Sequence, residues 1–225
     1  MIKIGHRGAA GYEVENTAKA LKKALELRVN IIEMDVRRCA TGELVVFHDK
    51  KIDRITNGRG LIRKLSLAEI KKLRTFDGQK ILTLSEALEI INGSCMVNLH
   101  LKAKNIARPL IDLLHQMIAT KQWTIRQFLI SSFNTKDLYS IKKLDNKIKV
   151  GILYYRHILS IVRRAKKISA YSVHIHSHLL SQKLISALHQ NNIQVFVWTL
   201  NRTADIKHAR QLKVDGIISD FPDLI

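Results

Sequence analysis

The sequence predicts an α/β fold, a (β/α)8 TIM barrel, and three observations carry that expectation. Short apolar, β-branched runs alternate with amphipathic stretches from end to end. Eight such runs can be counted, which in strict β/α alternation implies a parallel sheet. The 225 residues shared over eight units leave roughly 28 each, enough for a barrel slightly below the usual size. An open, doubly wound sheet is the competing architecture.

Taken in order, the first strand is expected at 2–5, followed by helical apolar spacing over 17–27 with Asn16 or Thr17 as its N-cap. The second strand covers 31–36. Residues 43–82 exceed one ordinary connection and hold an extra apolar run at 44–47, a turn-like Asn57-Gly58-Arg59-Gly60 and a short helix near 67–73. They read as a small insertion on the upper face of the barrel. Strands at 96–101, 128–132, 150–154, 172–176, 195–200 and 216–219 then alternate with helices at 106–119, 135–144, 158–167, 181–190 and 203–212. After the last strand only a few residues lead to Ile225, too few for a full eighth helix. A shorter segment or a second copy of the chain is expected to cover that end. Just two prolines and no Ser/Gly-rich linker predict a single domain over 1–225.

Composition excludes several classes. With 46% hydrophobic and 25% charged residues and a mean hydropathy of −0.04, the chain can bury a core. No run approaches the ~18 apolar residues of a membrane-spanning helix, and the opening lacks the pattern of a secretion signal. A soluble, cytoplasmic protein is expected, with Cys39 and Cys95 as free thiols. Lys and Arg number 38 against 19 Asp and Glu, a net +19, which attracts phosphate-bearing partners at long range. Most basic pairs, such as Lys71-Lys72 and Lys166-Lys167, fall on solvent faces of helices. Weak association with anionic membranes is expected to be secondary. No specific nucleic acid is expected, since neither zinc-finger spacing nor a glycine-aromatic RNA-binding signature is present.

The chemistry of a barrel belongs at the C-terminal ends of its strands, and polar residues collect there. The first strand finishes in His6-Arg7-Gly8. Glu33 and Asp35 sit two apart on the second, so both project to one face. A divalent cation would hold both ionised; ion pairing with Arg7, Arg37 or Arg38, or solvation at the rim, would serve equally. Asn98, His100 and Lys102 share one phase of the third strand, and the extra run ends in Phe47-His48-Asp49. Two imidazoles can give and take protons, a metal can neutralise an anion, and Arg7 with Lys102 can clamp phosphate oxygens. The set points to phosphoryl-ester hydrolysis.

These residues closely resemble, in order and spacing, the glycerophosphodiester phosphodiesterase family. The likeness runs through His6-Arg7-Gly8, Glu15-Asn16-Thr17, Ile32-Glu33-Met34-Asp35-Val36, Gly42 and Val45-Val46-Phe47-His48-Asp49. It continues through Asp53-Arg54-Ile55-Thr56-Asn57-Gly58, Leu82-Thr83-Leu84-Ser85-Glu86, residues 98–102, Ser131-Ser132-Phe133, Trp198-Thr199-Leu200-Asn201 and residues 215–222. The resemblance implies metal-dependent hydrolysis of a glycerophosphodiester to sn-glycerol 3-phosphate and an alcohol, in lipid and glycerol metabolism. It implies His6 and His48 as general acid and base in unspecified order, Glu33 and Asp35 on Mg2+ or Ca2+, and Arg7 and Lys102 on the phosphate. Attack would begin from a glycerol hydroxyl of the substrate, giving a cyclic phosphate that water opens. Glu15 is expected to line the site, and Trp198 to pack in the barrel or wall the substrate. His176 is expected to touch substrate rather than join His174 and His178 in a second metal site, because no carboxylate accompanies them.

One departure stands out: His100 occupies a position where the family usually has a glutamate, its third metal ligand. Losing an anion weakens binding of hard ions, and a nitrogen donor suits Mn2+ or Zn2+ better than Mg2+ or Ca2+. Three outcomes are open: His100 ligates a borderline metal, water replaces the ligand, or catalysis is lost and a phosphate-binding barrel remains. A lysophospholipase D-like activity is a further alternative. Leu82 stands where a proline is usual, which would loosen that loop.

Overall fold

The computed structural model describes residues 1–120, 122–155 and 161–225. Eight parallel strands close into a barrel: β1 (Ile2–Gly5), β2 (Ile31–Arg38), β4 (Met96–Leu101), β5 (Phe128–Ser132), β6 (Lys149–Tyr154), β7 (Ser172–His176), β8 (Gln194–Trp198) and β9 (Gly216–Ser219). Closure comes from β1, which pairs with β9 from Ile2↔Gly216 to Gly5↔Ser219 and with β2 at Ile4↔Ile31. The short β3 (Leu44–Val46) lies outside the barrel, antiparallel to the far end of β2.

Side chains of alternate phase divide the core. The outward phase, including Ile32, Met34, Val36, Val97, Leu99, Val173 and Val195, joins the main cluster beneath the helices. Those helices are α1 (Ala18–Glu26), α3 (Leu84–Ile91), α4 (Ala107–Ala119), α5 (Thr135–Leu144), α6 (Ile161–Lys167), α7 (Gln182–His189) and α8 (Thr203–Gln211). Fully covered leucines such as Leu21, Leu88 and Leu110 each contribute about 1.5–3 kcal/mol by leaving water. The inward phase starts with an apolar floor of Ile4, Ile31, Leu129, Phe196 and Ile218. Above it lie buried polar residues: Glu33, Asp35, Asn98, His100, Ser131 and His174. The polar phase of β4, Asn98 and His100, is therefore the one facing the barrel mouth.

The insertion after β2 has a core of its own, with Val45, Phe47, Ile52, Ile62, Ile70 and Ile81 buried together. It includes the short helix α2 (Leu67–Lys72), whose Ser66 and Glu69 form a reciprocal capping box. Helix α3 was not among the helices expected from apolar spacing. Its signal is a second capping box, Thr83 with Glu86, which eight residues of apolar pattern alone do not advertise. The seventh barrel strand ends at Trp198, two residues before the expected boundary. The expected helix at 158–167 begins among residues outside those described; α6 is seen from Ile161. After β9 a single 3-10 turn, Pro222–Leu224, takes the place of an eighth helix.

Candidate active site

Above the apolar floor a cavity of about 70 Å3 opens among the C-terminal ends of the strands. His6, Arg7, Glu33, Asp35, His48, His100, Lys102 and Trp198 all line it, joined by Asn98, Ser131, Phe133 and His174.

Arg7 and Gly8 both take left-handed backbone angles, φ 51° and 87°. That turn aims the Arg7 N–H at Glu33 Oε2, 2.9 Å away. A side chain at position 8 would place its Cβ 2.6 Å from the Ala20 backbone, so only glycine fits. The Arg7 guanidinium reaches Asp35, with Nε 3.2 Å from Oδ2, although Nε has no aligned hydrogen bond; the pairing there is one of charge. Lys102 Nζ lies 3.4 Å from Asp35 Oδ1. Asn16 donates to Asp35 Oδ2 at 3.1 Å and accepts from the Asp35 N–H at 3.2 Å. Burial works against the Asp35 charge, but His100, Lys102 and Arg7 outweigh it and hold its pKa well below the usual carboxylate range.

Both candidate acid-base histidines carry a carboxylate on Nδ1. His6 Nδ1 is 2.6 Å from Asp220 Oδ1, and Asn201 donates to Asp220 Oδ2 at 2.5 Å. His48 Nδ1 is 2.6 Å from Asp49 Oδ1. Arg54 Nε donates to Asp49 Oδ2 at 2.6 Å, and its other nitrogens reach Glu15 at 3.1 and 2.5 Å. Glu15 in turn pairs with Arg7 at 3.0 Å. An alternating chain of charge thus runs from His48 to Arg7. The surroundings separate the two rings. Burial lowers the pKa of His6, but the Asp220 hydrogen bond and the Glu33 charge raise it to a net value above the ordinary one. Burial lowers that of His48, and the opposing pull of Asp35 does not restore it.

Deeper in the barrel, His174 is fully covered and its Nε2 lies 2.9 Å from Ser172 Oγ. Burial, with the neighbouring His100 charge, pushes its pKa down to about 3, so it is neutral. Gly151 makes room for this ring: a Cβ there would stand 2.6 Å from His174 Nε2.

The sequence matches the Glycerophosphoryl diester phosphodiesterase family over residues 6–224. The chain belongs to that family. It is thus an enzyme of the phosphoric diester hydrolase class, and the family resemblance and barrel expected from the sequence are both borne out. It is 35% identical to a glycerophosphodiester phosphodiesterase of Caldanaerobacter subterraneus subsp. tengcongensis, covering 99% of this chain and 95% of the relative. It is 33% identical to one of Bacillus altitudinis, covering 99% and 96%. Among solved structures it is similar to an Oleispira antarctica phosphodiesterase in complex with the product sn-glycerol-3-phosphate, with TM-score 0.91, 29% identity and coverage of 99% and 94%.

In this phosphodiesterase the residues fit a divalent cation, with one change of donor. Glu33, Asp35 and His100 each offer an atom, all within 4.8 Å of one another, a span one ion can bridge. His100 Nδ1 faces Asp35 Oδ1 at 3.2 Å and Glu33 Oε1 at 3.7 Å. A ring nitrogen opposed to two carboxylate oxygens needs a proton or a cation between them.

Two expected pocket residues do not line the cavity. Glu15 braces Arg7 and Arg54 from behind. The His176 ring stands 4.7 Å from Trp198, with its Nδ1 2.6 Å from His178 Nδ1. Trp198 does line the cavity, and its Nε1 donates to the His174 carbonyl at 2.9 Å. Of the two residues that could cap α1, Thr17 takes the role, while Asn16 lies buried against Asp35. Asp49, Arg54, Asn201 and Asp220 belong to the stretches that carry the family likeness, without a role expected of them individually. The signal for the first is its adjacency to His48; for Asp220, its place one residue beyond the last strand.

No helix among the described residues is long and apolar enough to cross a membrane.

Proposed function

We propose that this protein hydrolyses glycerophosphodiesters to sn-glycerol 3-phosphate and a free alcohol, with Glu33, Asp35 and His100 holding a divalent cation. The observation that carries the reading is the presence, in one cavity, of two carboxylate-braced imidazoles beside Arg7 and Lys102. The product held by the Oleispira antarctica structure supports the same substrate class.

Arg7 and Lys102 bind the non-bridging phosphate oxygens and orient the ester. His48, whose pKa burial lowers, takes the proton of the attacking glycerol hydroxyl. His6, whose pKa is raised by Asp220 and Glu33 against its burial, gives its proton to the oxygen of the departing alcohol as the phosphorus-oxygen bond to that oxygen breaks. The cyclic phosphate is then opened by water with the two rings in exchanged roles. When bound, the cation supplies charge neutralisation and Lewis acidity to the phosphate. The donor set favours Mn2+ or Zn2+ over Mg2+ or Ca2+. The free thiols of Cys39 and Cys95 support a reducing, cytoplasmic setting, and one domain spanning 1–225 carries the reaction.

The test is release of glycerol 3-phosphate from glycerophosphocholine or glycerophosphoethanolamine with each of several divalent ions. Turnover with at least one ion is expected, and none with any ion overturns the reading. A second reading, a phosphate-binding barrel without turnover, is favoured by His100 alone. Equilibrium dialysis would reveal it as phosphodiester binding without metal, with no activity for His6→Ala to remove.

A further inference from the structure

Beside the active-site cavity lies a larger one, about 520 Å3, whose lining includes Arg37, Arg38, Lys50, Arg63, Lys102 and Lys104 and no acidic residue. Lys102 lines both cavities, so the two lie side by side with that residue between them. Three stretches of chain meet here. The end of β2 brings Arg37 and Arg38, the segment after β4 brings Lys102 to Lys104, and the insertion closes the third side. Pairing of the Ile62 N–H with the Lys50 carbonyl at 3.0 Å draws Lys50 and Arg63 to the same rim.

Arg37 is the keystone. It is buried, and it donates to the His48 carbonyl from Nε at 2.9 Å and to the Lys102 carbonyl from Nη1 at 2.9 Å. It thus ties the groove to a catalytic histidine and to a phosphate-binding lysine. Nearby carboxylates are engaged elsewhere: Glu15 with Arg7 and Arg54, Asp49 with His48 and Arg54, Asp35 with Lys102. Among the described residues, Lys50, Arg63 and Lys104 have no ion-pair partner, and all three are exposed. Like charges gathered in one concave cleft repel one another and raise the local field for anions. Such a cleft is most favourable when an anion occupies it.

Resting on the proposed phosphodiesterase reading, we infer that this groove selects glycerophosphodiesters whose alcohol part carries a second phosphate. The scissile ester sits at Arg7 and Lys102. The alcohol extends past Lys102, and its further phosphate meets Lys50, Arg63 and Lys104. The alcohol then departs with that phosphate intact. This chemistry has two sources, a short headgroup with two phosphodiesters or a chain of glycerol phosphate repeats. A membrane surface fits less well, because the groove is concave and none of the large exposed apolar side chains, such as Phe76 or Tyr155, lines it.

The test compares glycerophosphocholine with bis(glycerophospho)glycerol and with poly(glycerol phosphate), using the full chain with its most activating divalent ion. At low salt, KM for at least one phosphate-bearing substrate should be about tenfold below that for glycerophosphocholine, and the gap should close at high salt. The substrate that shows the gap identifies the source. The K50Q/R63Q/K104Q variant should raise that KM about tenfold while leaving glycerophosphocholine kinetics within about twofold. Equal KM values in wild type and variant would overturn the inference. Loss of sedimentation with phosphatidylglycerol vesicles at unchanged soluble KM would overturn it too, in favour of membrane docking. Calorimetric affinity for bis(glycerophospho)glycerol reads the groove without turnover. A chain that binds it more tightly than glycerophosphocholine yet hydrolyses neither fails the proposed function and retains the groove.

Discussion

His100 turns Nδ1 toward Asp35 Oδ1, 3.2 Å away, while its Nε2 is buried with no hydrogen-bond partner. The ring spends one nitrogen on the carboxylates and leaves the other unsatisfied, a costly arrangement that persists only when something else requires it. The cation proposed at Glu33, Asp35 and His100 would be such a requirement.

Replacing this ring with a carboxylate should change both metal affinity and stability. An extra anion about 4 Å from a divalent ion adds about 4 kcal/mol per unit charge of gross attraction at an effective dielectric of about 20, before desolvation. His100→Glu is expected to tighten Mg2+ or Ca2+ binding by at least about tenfold and to raise activity with those ions. In chelator the same variant should melt earlier than wild type, because a third buried carboxylate repels Asp35. Metal titrations and melting curves check both; unchanged affinity would place His100 outside the coordination sphere.

The opposite shifts of His6 and His48 fix the form of the pH profile. With His48 as base, kcat/KM rises as pH climbs through its lowered pKa. With His6 as acid, it falls only above its raised pKa, so the plateau should lie between the two, on either side of the ordinary imidazole value. Asp220→Asn removes the carboxylate that raises His6 and should move the alkaline limb to lower pH. Alanine at either histidine should cost about 100-fold or more in kcat. An alkaline limb that stays in place in the Asp220 variant would show that His6 does not set it.

His174 should make the fold acid-sensitive. Its folded pKa, about 3 against the 6.5 of an ordinary imidazole, lies below that of the unfolded chain. The unfolded chain therefore binds the extra proton between those values, and stability falls as pH drops from 6.5 toward 3. The loss is on the order of 5 kcal/mol. His174→Gln should flatten this acid limb in melting curves taken across that range.

Gly151→Ala should destabilise by about 1–3 kcal/mol, since the new methyl would meet both His174 Nε2 at 2.6 Å and Ser172 Oγ at 2.9 Å. Pairing it with His174→Ala should recover part of the loss. Thermal denaturation of the single and double variants measures the coupling.

Arg54→Ala should act through position rather than contact. Freed from Arg54, Asp49 no longer holds His48 in one orientation, and Glu15 no longer steadies Arg7. A fall of about tenfold in kcat is expected with a smaller change in KM. Arg54→Lys should rescue little of it, because an ammonium cannot reproduce the two-sided fork. A pure KM effect would instead place Arg54 in substrate binding.

The sequence by itself determined the barrel, the phase of its strands and most of the cavity. β/α alternation and period-2 patterning are local: Glu33 with Asp35, and Asn98 with His100 and Lys102, share a face wherever those strands go. Helix α3 escaped that reading, because its local signal is the Thr83 to Glu86 capping box rather than apolar spacing. Only the tertiary structure joined His6 to Asp220, 214 residues away, set Arg54 between Glu15 and Asp49, and placed Asn16 against Asp35 with Thr17 as the cap. It alone gathered the cations of three separate segments into one groove. Such pairings depend on how a closed sheet brings distant strand ends together, and nothing in the spacing of neighbouring residues encodes which ends will meet.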